Sequence, residues 1–292
     1  MAEKAAASEA DLVFLDLEDA VAPAQKEAAR HNVVEGLTAL DWGVKTRAYR
    51  INGVHTGWCH DDLIEVVTGA GRCVDVVIVP KVRAARDVWF VDDLLTQLER
   101  KLGLEEGRIG LEVLIEEAEA LASVEEIAAS SARLEALILG VGDLSASQGI
   151  RLGAGPYPGD LWHYARNRMI VAARANGLDA IDGPYADFRD AEGYRQEAAR
   201  AATLGAVGKW CIHPSQIPVA NRVFAPTPTE IDEAQRVVAA VRAAESEGQG
   251  AASLGGVMVD AATARIFEAV LRRAQLCGLI TTGNVRLTGD RS

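Results

Sequence analysis

Seven short runs rich in β-branched and aliphatic residues recur along the chain, at 12–16, 46–51, 74–80, 109–116, 134–140, 178–183 and 208–213. Stretches of helical character fill the intervals, at 25–40, 61–68, 87–101, 123–129, 160–176 and 191–204. Parallel neighbours in a sheet cannot be joined by a tight turn, so this alternation predicts a parallel sheet whose crossover connections are helices. Local signals support several of the boundaries. Asp160 is a candidate N-cap, and Gly177 suits the left-handed end of the same helix. Ser123 with Glu126, and Thr227 with Glu230, have capping-box spacing, and Pro228 suits a first helical position.

The strand ends narrow the architecture. Each strand closes on or near a polar residue: Asp16 with Glu18 and Asp19, then Arg50, Lys81, Glu116, Asp143, Asp182, and Lys209 or His213. A single charge in such a place ordinarily solvates a loop. A recurrent series points to a shared mouth, because active sites of parallel α/β folds gather at the carboxyl ends of the strands. A barrel is therefore expected rather than an open sheet. Glu116 and Asp143 end successive strands and would face that mouth from adjacent positions. Two hard carboxylates, completed by water and substrate oxygens, are a common way to hold magnesium. The spacing leaves alternatives open: Glu112, Glu117 and Glu119 lie close to Glu116, and Asp143 also fits a helix cap or turn within GVGDLSAS.

Composition excludes some classes of partner. The net charge of −12 repels polyanions and argues against nucleic-acid binding, so any anionic ligand needs a local basic exception. Residues 1–10 lack the features of a signal peptide, and no apolar run approaches the roughly 18 residues of a membrane span, so a cytoplasmic protein is expected. Cys59, Cys73, Cys211 and Cys277 show no zinc-ligand spacing. Residues 1–225 are expected to form the catalytic barrel, and 226–292 a C-terminal helical extension. Within the latter, EGQGAASLGG at 247–256 reads as a linker and 258–276 as an amphipathic helix.

In order along the chain, FLDLEDAVAPAQKEAAR (14–30), YRING (49–53), VPK (79–81), LIEEAEALASVEEIA (114–128), LGVGD (139–143), AIDGPYADFRDAEGY (180–194) and GKWCIHPSQI (208–217) resemble the citrate lyase β-subunit-like family of CoA-ester lyases, within the HpcH/HpaI aldolase superfamily. IDGPYADF, VGKWCIHPSQ and GGVMVDAA (255–262) are most similar to malyl-CoA and β-methylmalyl-CoA lyases. The resemblance implies a TIM-type (β/α)8 barrel with a C-terminal helical lid. It implies that Glu116 and Asp143 are ligands of Mg2+, with Mn2+ as the alternative ion, and that Asp16, Glu18 and Asp19 stand behind them. Arg50 matches the arginine that grips a substrate carboxylate, while Lys81 and Lys209 match basic positions assigned to the CoA end. Asp260 matches an acid/base carried on a lid that closes over a neighbouring subunit, which implies a homo-oligomer, a trimer or hexamer.

The implied reaction is reversible cleavage of a malyl-CoA or β-methylmalyl-CoA thioester to glyoxylate and acetyl-CoA or propionyl-CoA. Citramalyl-CoA cleavage, thioester hydrolysis, and a partner-dependent citrate lyase β-type subunit are the alternatives. The sequence departs from the family at its start, where MAEKAAASEAD stands in place of a strand ending in a VPG-like turn. A barrel lacking its first strand, with two exposed edges, is the corresponding expectation.

Overall fold

A computed structural model of the chain describes residues 2–151 and 159–281. It divides into two compact units, residues 1–220 and 221–292. In the first unit the strands are β1 (Leu12–Asp16), β2 (Thr46–Arg50), β3 (Val76–Val79), β4 (Gly110–Ile115), β5 (Leu134–Leu139), β6 (Asp179–Asp182) and β7 (Gly208–Lys209). They pair in chain order, and every pairing is parallel. Among the described residues the sheet curls as a TIM-type barrel one strand short of eight.

Side-chain alternation along the strands decides what lies inside the curl. Ala48, Val76, Ile78, Leu114 and Ile138 form one buried cluster, with Leu12, Phe14, Ile181 and Trp210 packed against it. Successive residues of a strand point to opposite faces, so the positions two further on, Asp16, Arg50, Glu116 and Gly140, share that inner face at its carboxyl end. Phe14 and Trp210 belong to the two opposite ends of the sheet order, yet their rings stack with centroids 4.6 Å apart. Their contact draws the curl together across the open edge. Fully burying each large aliphatic of this interior contributes about 1.5–3 kcal/mol.

The outer layer is helical. Lys26–Ala39, Cys59–Ala70, Ala85–Leu102, His163–Ala175 and Ala191–Leu204 follow their strands, as expected of crossovers. The expected helix at 123–129 is instead two short ones, Ala118–Ala122 and Val124–Ala128, and Ser123 makes no side-chain cap. Ser123 adopts φ −115°, ψ 22° between them, so the expected capping box does not form. Asp160 lies three residues ahead of its helix and accepts from the Trp162 N–H at 3.0 Å. Among the described residues no helix is long and apolar enough to cross a membrane.

The second unit pairs the helices Pro228–Ser246 and Ala261–Leu276 through Ile231, Ala234, Val238, Leu271 and Ala274. Thr227 and Glu230 make the expected capping box. The expected linker at 247–256 is a hairpin: β8 (Ala251–Leu254) pairs antiparallel with β9 (Val257–Asp260). Gly255 and Gly256 have φ of 60° and 82°, the paired positive values of a two-residue turn matched to the twist of its strands. Their lack of side chains made a turn resemble a linker. The last helix begins at Ala261 instead of 258, because Asp260 caps it through the Thr263 N–H at 2.9 Å.

Glu112 lies two residues before Leu114 on the inner face, only 8% exposed and without a side-chain hydrogen-bond partner among the described residues. Burial, reinforced by Glu135 and Asp179, pushes its carboxyl up to about 7. A carboxyl with a raised folded-state pKa contributes stability below its unfolded value of 4.5 and loses it as pH rises through about 7. Glu112→Gln should therefore stabilise the protein by roughly 1–3 kcal/mol at pH 8 and change it little at pH 5, read from urea unfolding in chelator.

Candidate active site

Asp16 and Arg50 are register partners at the carboxyl ends of β1 and β2. Arg50 donates from Nε to Asp16 Oδ1 and from Nη2 to Asp16 Oδ2, both at 2.7 Å, the two-pronged geometry that a guanidinium makes with a carboxylate. Its Nη1 lies 2.9 Å from Glu18 Oε2. Beneath it are the rings of Phe14 and Trp210, with centroids 5.9 and 5.7 Å from Cζ. Two of the five guanidinium N–H groups hydrogen-bond to Asp16 and Nη1 forms an ion pair with Glu18, so part of the donor set is open to a ligand. Burial alone would raise the Asp16 carboxyl, but Arg50 and the N–H groups of Glu18 and Ala20 hold it below its ordinary value.

The turn after β1 brings Glu18 and Asp19 to the same place. The Lys26 ammonium pins it from the helix side, donating to the Leu17 and Glu18 carbonyls at 2.7 and 2.8 Å. Arg30 is engaged elsewhere, with Asp62 and Glu65. Neither cation pairs with an acidic side chain of this turn. Asp62 also receives the backbone and side-chain N–H groups of Asn52, fixing the loop beyond Arg50.

Glu116 follows β4 and is 2% exposed. Its Oε1 accepts the Lys81 backbone N–H at 2.8 Å, and its Oε2 has no hydrogen-bond partner among the described residues. Gly140 makes room for it: a Cβ there would fall 2.5 Å from Glu116 Oε2, inside any tolerable contact. Asp143 sits in the first turn of the helix Val141–Ser147, with its side chain 40% exposed. Burial pushes the Glu116 carboxyl up to about 8, and Asp143 and Glu18 push in the same direction. The neighbouring glutamates separate by geometry. Glu112 is deeper in the barrel, Glu117 accepts from the Ser147 hydroxyl at 2.8 Å, and Glu119 is exposed on a helix.

Lys81 stands among these acids. Its ammonium pairs with Glu18, lies 3.1 Å from Asp19 and reaches to 3.7 Å from Asp143 Oδ1. Five carboxylates, of Asp16, Glu18, Asp19, Glu116 and Asp143, thus share two cations, Arg50 and Lys81. A carboxylate oxygen without a donor among the described residues, on a buried glutamate beside a second carboxylate and an excess of negative charge, fits a hard divalent ion. No group of three or more His, Cys, Asp or Glu side chains that could hold a metal is assembled among the described residues. A two-carboxylate site completed by water and substrate does not require one.

Lys209 does not join this cluster. Ile181 and Trp210 pack in the barrel interior, so Asp182 and Lys209, each one residue away, point to the outer face. There the Lys209 ammonium is fully buried and donates to Asp182 Oδ2, Glu197 Oε1 and the Gly183 carbonyl at 2.6, 2.6 and 2.7 Å. All three of its N–H groups are used, and none is left for CoA. His213 accepts from the Ser215 N–H at its own turn and stacks on Phe188. Asp260 belongs to the second unit, where the Thr263 N–H and hydroxyl hold its carboxyl below the ordinary value. The sequence reading missed the Phe14–Trp210 floor and Gly140. The period-two pattern beneath Asp16 and the two glycines of GVGD were the available signals.

A parallel barrel with a buried arginine and paired carboxylates at its carboxyl mouth defines a TIM-type enzyme. The chain belongs to the HpcH/HpaI aldolase/citrate lyase family, whose sequence profile matches residues 1–214. It is 43% identical over 288 residues to the L-malyl-CoA/β-methylmalyl-CoA lyase of Cereibacter sphaeroides, covering 94% of this chain and 90% of that one. It is 34% identical to the malyl-CoA/β-methylmalyl-CoA/citramalyl-CoA lyase of Chloroflexus aurantiacus, covering 92% and 82%. Among solved structures, the protein CitE of Mycobacterium tuberculosis in complex with magnesium, acetoacetate and coenzyme A is similar. The TM-score is 0.74 with 36% identity, over 93% of this chain and 92% of that one.

Removing the Lys209 charge leaves the half-buried Glu197 without that cation and the fully buried Asp182 with Arg166 alone. Lys209→Met should cost about 3–5 kcal/mol in urea unfolding. A loss below about 0.5 kcal/mol, as at an ordinary surface site, would instead mark a lysine free for ligand.

Proposed function

We propose that this protein is a magnesium-dependent lyase that reversibly cleaves malyl-CoA or β-methylmalyl-CoA to glyoxylate and acetyl-CoA or propionyl-CoA. The observation that carries this reading is the mouth cluster, where the buried Glu116 keeps an oxygen without a donor among the described residues near Asp143, and Arg50 keeps N–H groups beyond its two hydrogen bonds to Asp16. The 43% identity to a lyase of that name over 94% of the chain supports the choice of substrate. Glu116 and Asp143 would hold the ion, Mg2+ or in its place Mn2+. When bound, it supplies Lewis-acid polarisation of the oxygen that is hydroxyl in malyl-CoA and carbonyl in glyoxylate.

The protein's own groups do the rest. Arg50, held rigid by Asp16 and Glu18, presents its remaining N–H groups to the carboxylate next to the reacting carbon, fixing its orientation. As the malyl hydroxyl gives its proton to the Asp260 carboxylate, the carbon–carbon bond breaks with its electron pair left on the thioester fragment as an enolate. Asp260 delivers a proton to that carbon in cleavage and removes it in condensation. We assign Asp260 to the C-terminal unit of a neighbouring copy in a homo-oligomer, so that closure excludes water from the enolate. In this structure Asp260 Oδ1 caps its helix through Thr263, which orients the carboxylate.

Purified protein with Mg2+ should release glyoxylate from malyl-CoA, and chelation should abolish release. Glu116→Ala or Asp143→Ala should lower kcat at least about 100-fold, since the ion supplies several kcal/mol of transition-state stabilisation. Turnover that survives both substitutions, or free thiol appearing with malate and without glyoxylate, would overturn the reading.

A separate measurement tests the shared site. Asp260→Ala and Glu116→Ala chains, each inactive alone, should on co-expression recover up to about a quarter of wild-type activity, because a random oligomer forms some sites with both groups intact. No recovery would place Asp260 in its own chain's site.

A further inference from the structure

Lys81 is the only described residue other than glycine with positive φ, at 52°. A side chain in the left-handed region is disfavoured, so what this conformation achieves is informative. It aims the Lys81 N–H at Glu116 Oε1 at 2.8 Å, which leaves Oε2 as the oxygen without a donor. The side chain runs a different course. Its ammonium, on a side chain 21% exposed, pairs with the buried Glu18, with Asp19 at 3.1 Å, and lies 3.7 Å from Asp143 Oδ1. Backbone and ammonium therefore address the two carboxylates assigned to the metal from one residue, by different means.

We infer that the Lys81 ammonium is the resident counter-cation of the mouth carboxylates, and that a divalent ion must displace it from Asp143 to bind. The inference rests on the reading of Glu116 and Asp143 as ligands. Without a cation, Glu18, Asp19, Glu116 and Asp143 would repel one another at short range, and Arg50 is already committed to Asp16 and Glu18. A cation on a flexible stem meets that need and can swing toward Asp19, whose side chain is 59% exposed, when the metal arrives. Lys81 is then a positioning residue: its N–H fixes the ligand Glu116, and its charge sets the affinity for the ion. Such a site loads metal only where the ion outcompetes an internal ammonium.

Lys81→Gly separates the two parts. Glycine adopts positive φ without strain and keeps the N–H to Glu116, while the ammonium is removed. Titration calorimetry with Mn2+ on the full-length protein should show Kd about tenfold lower for Lys81→Gly than for wild type, by loss of competing charge. Lys81→Arg, which keeps the charge, should stay within about twofold of wild type. In chelator Lys81→Gly should also melt below Lys81→Arg, with Mn2+ reversing the order, because the ion binds the folded state. Equal or weaker Mn2+ binding by Lys81→Gly would overturn the counter-cation role while leaving the metal site in place. Binding by none of the three proteins would overturn the metal reading itself, and with it this inference.

Discussion

Arg50 joins three parts of the barrel that would otherwise be independent. Its register partner Asp16 ties β2 to β1, Glu18 ties it to the following turn, and the stacked rings of Phe14 and Trp210 beneath it come from opposite ends of the sheet. A buried guanidinium is tolerable because its neighbours are carboxylates with good geometry. Taking away one partner would leave an uncompensated charge at a cost of about 3–5 kcal/mol. The same pairing keeps Asp16 ionised despite its burial, so the negative charge of the mouth is built in.

Charge fixed in this way constrains what can stand next to it. Glu116 is placed almost out of water, opposite Asp143 and Glu18, and its carboxyl resists ionisation. That arrangement opposes stability, and a fold under no functional demand would replace it with an apolar residue such as those one layer below. Gly140 shows that the placement is accommodated by the backbone: the strand after β4 gives up its side chain so that Glu116 can occupy the mouth. Local choices that conflict with stability yet are supported by their surroundings are characteristic of functional sites.

The barrel was legible in the sequence because its two signals are local. Alternation of short apolar runs with helical stretches gives a parallel sheet, and charges closing those runs give a mouth. Arg50 and Glu116 are among those closing charges, and in the structure each lies two residues beyond an inward apolar residue of its own strand. What the sequence concealed depended on facing and on the absence of side chains. Lys209 closes its strand much as Arg50 does, but the strand is only two residues long and does not display its alternation. The hairpin Ala251–Asp260 was hidden by its own turn, because a pair of glycines reads equally as a linker or as a two-residue turn. Ser123 fits a capping-box spacing, but a change of direction between two short helices leaves its hydroxyl out of position.

Two of the buried ionic clusters of the barrel have similar composition and opposite character. On the outer face, Lys209 spends all three N–H groups on Asp182, Glu197 and Gly183, and Arg166 locks Asp182 from the other side at 2.8 Å. The one unsatisfied atom there, Arg166 Nη2, is a donor sealed from solvent between strand and helix. On the inner face, a Glu116 oxygen has no donor among the described residues and Arg50 keeps N–H groups beyond its two hydrogen bonds to Asp16, where the strands open. Burial and charge are common to both clusters and do not distinguish a site from a strut. Free hydrogen-bonding capacity directed at accessible space does, and strand parity decides which cluster has it.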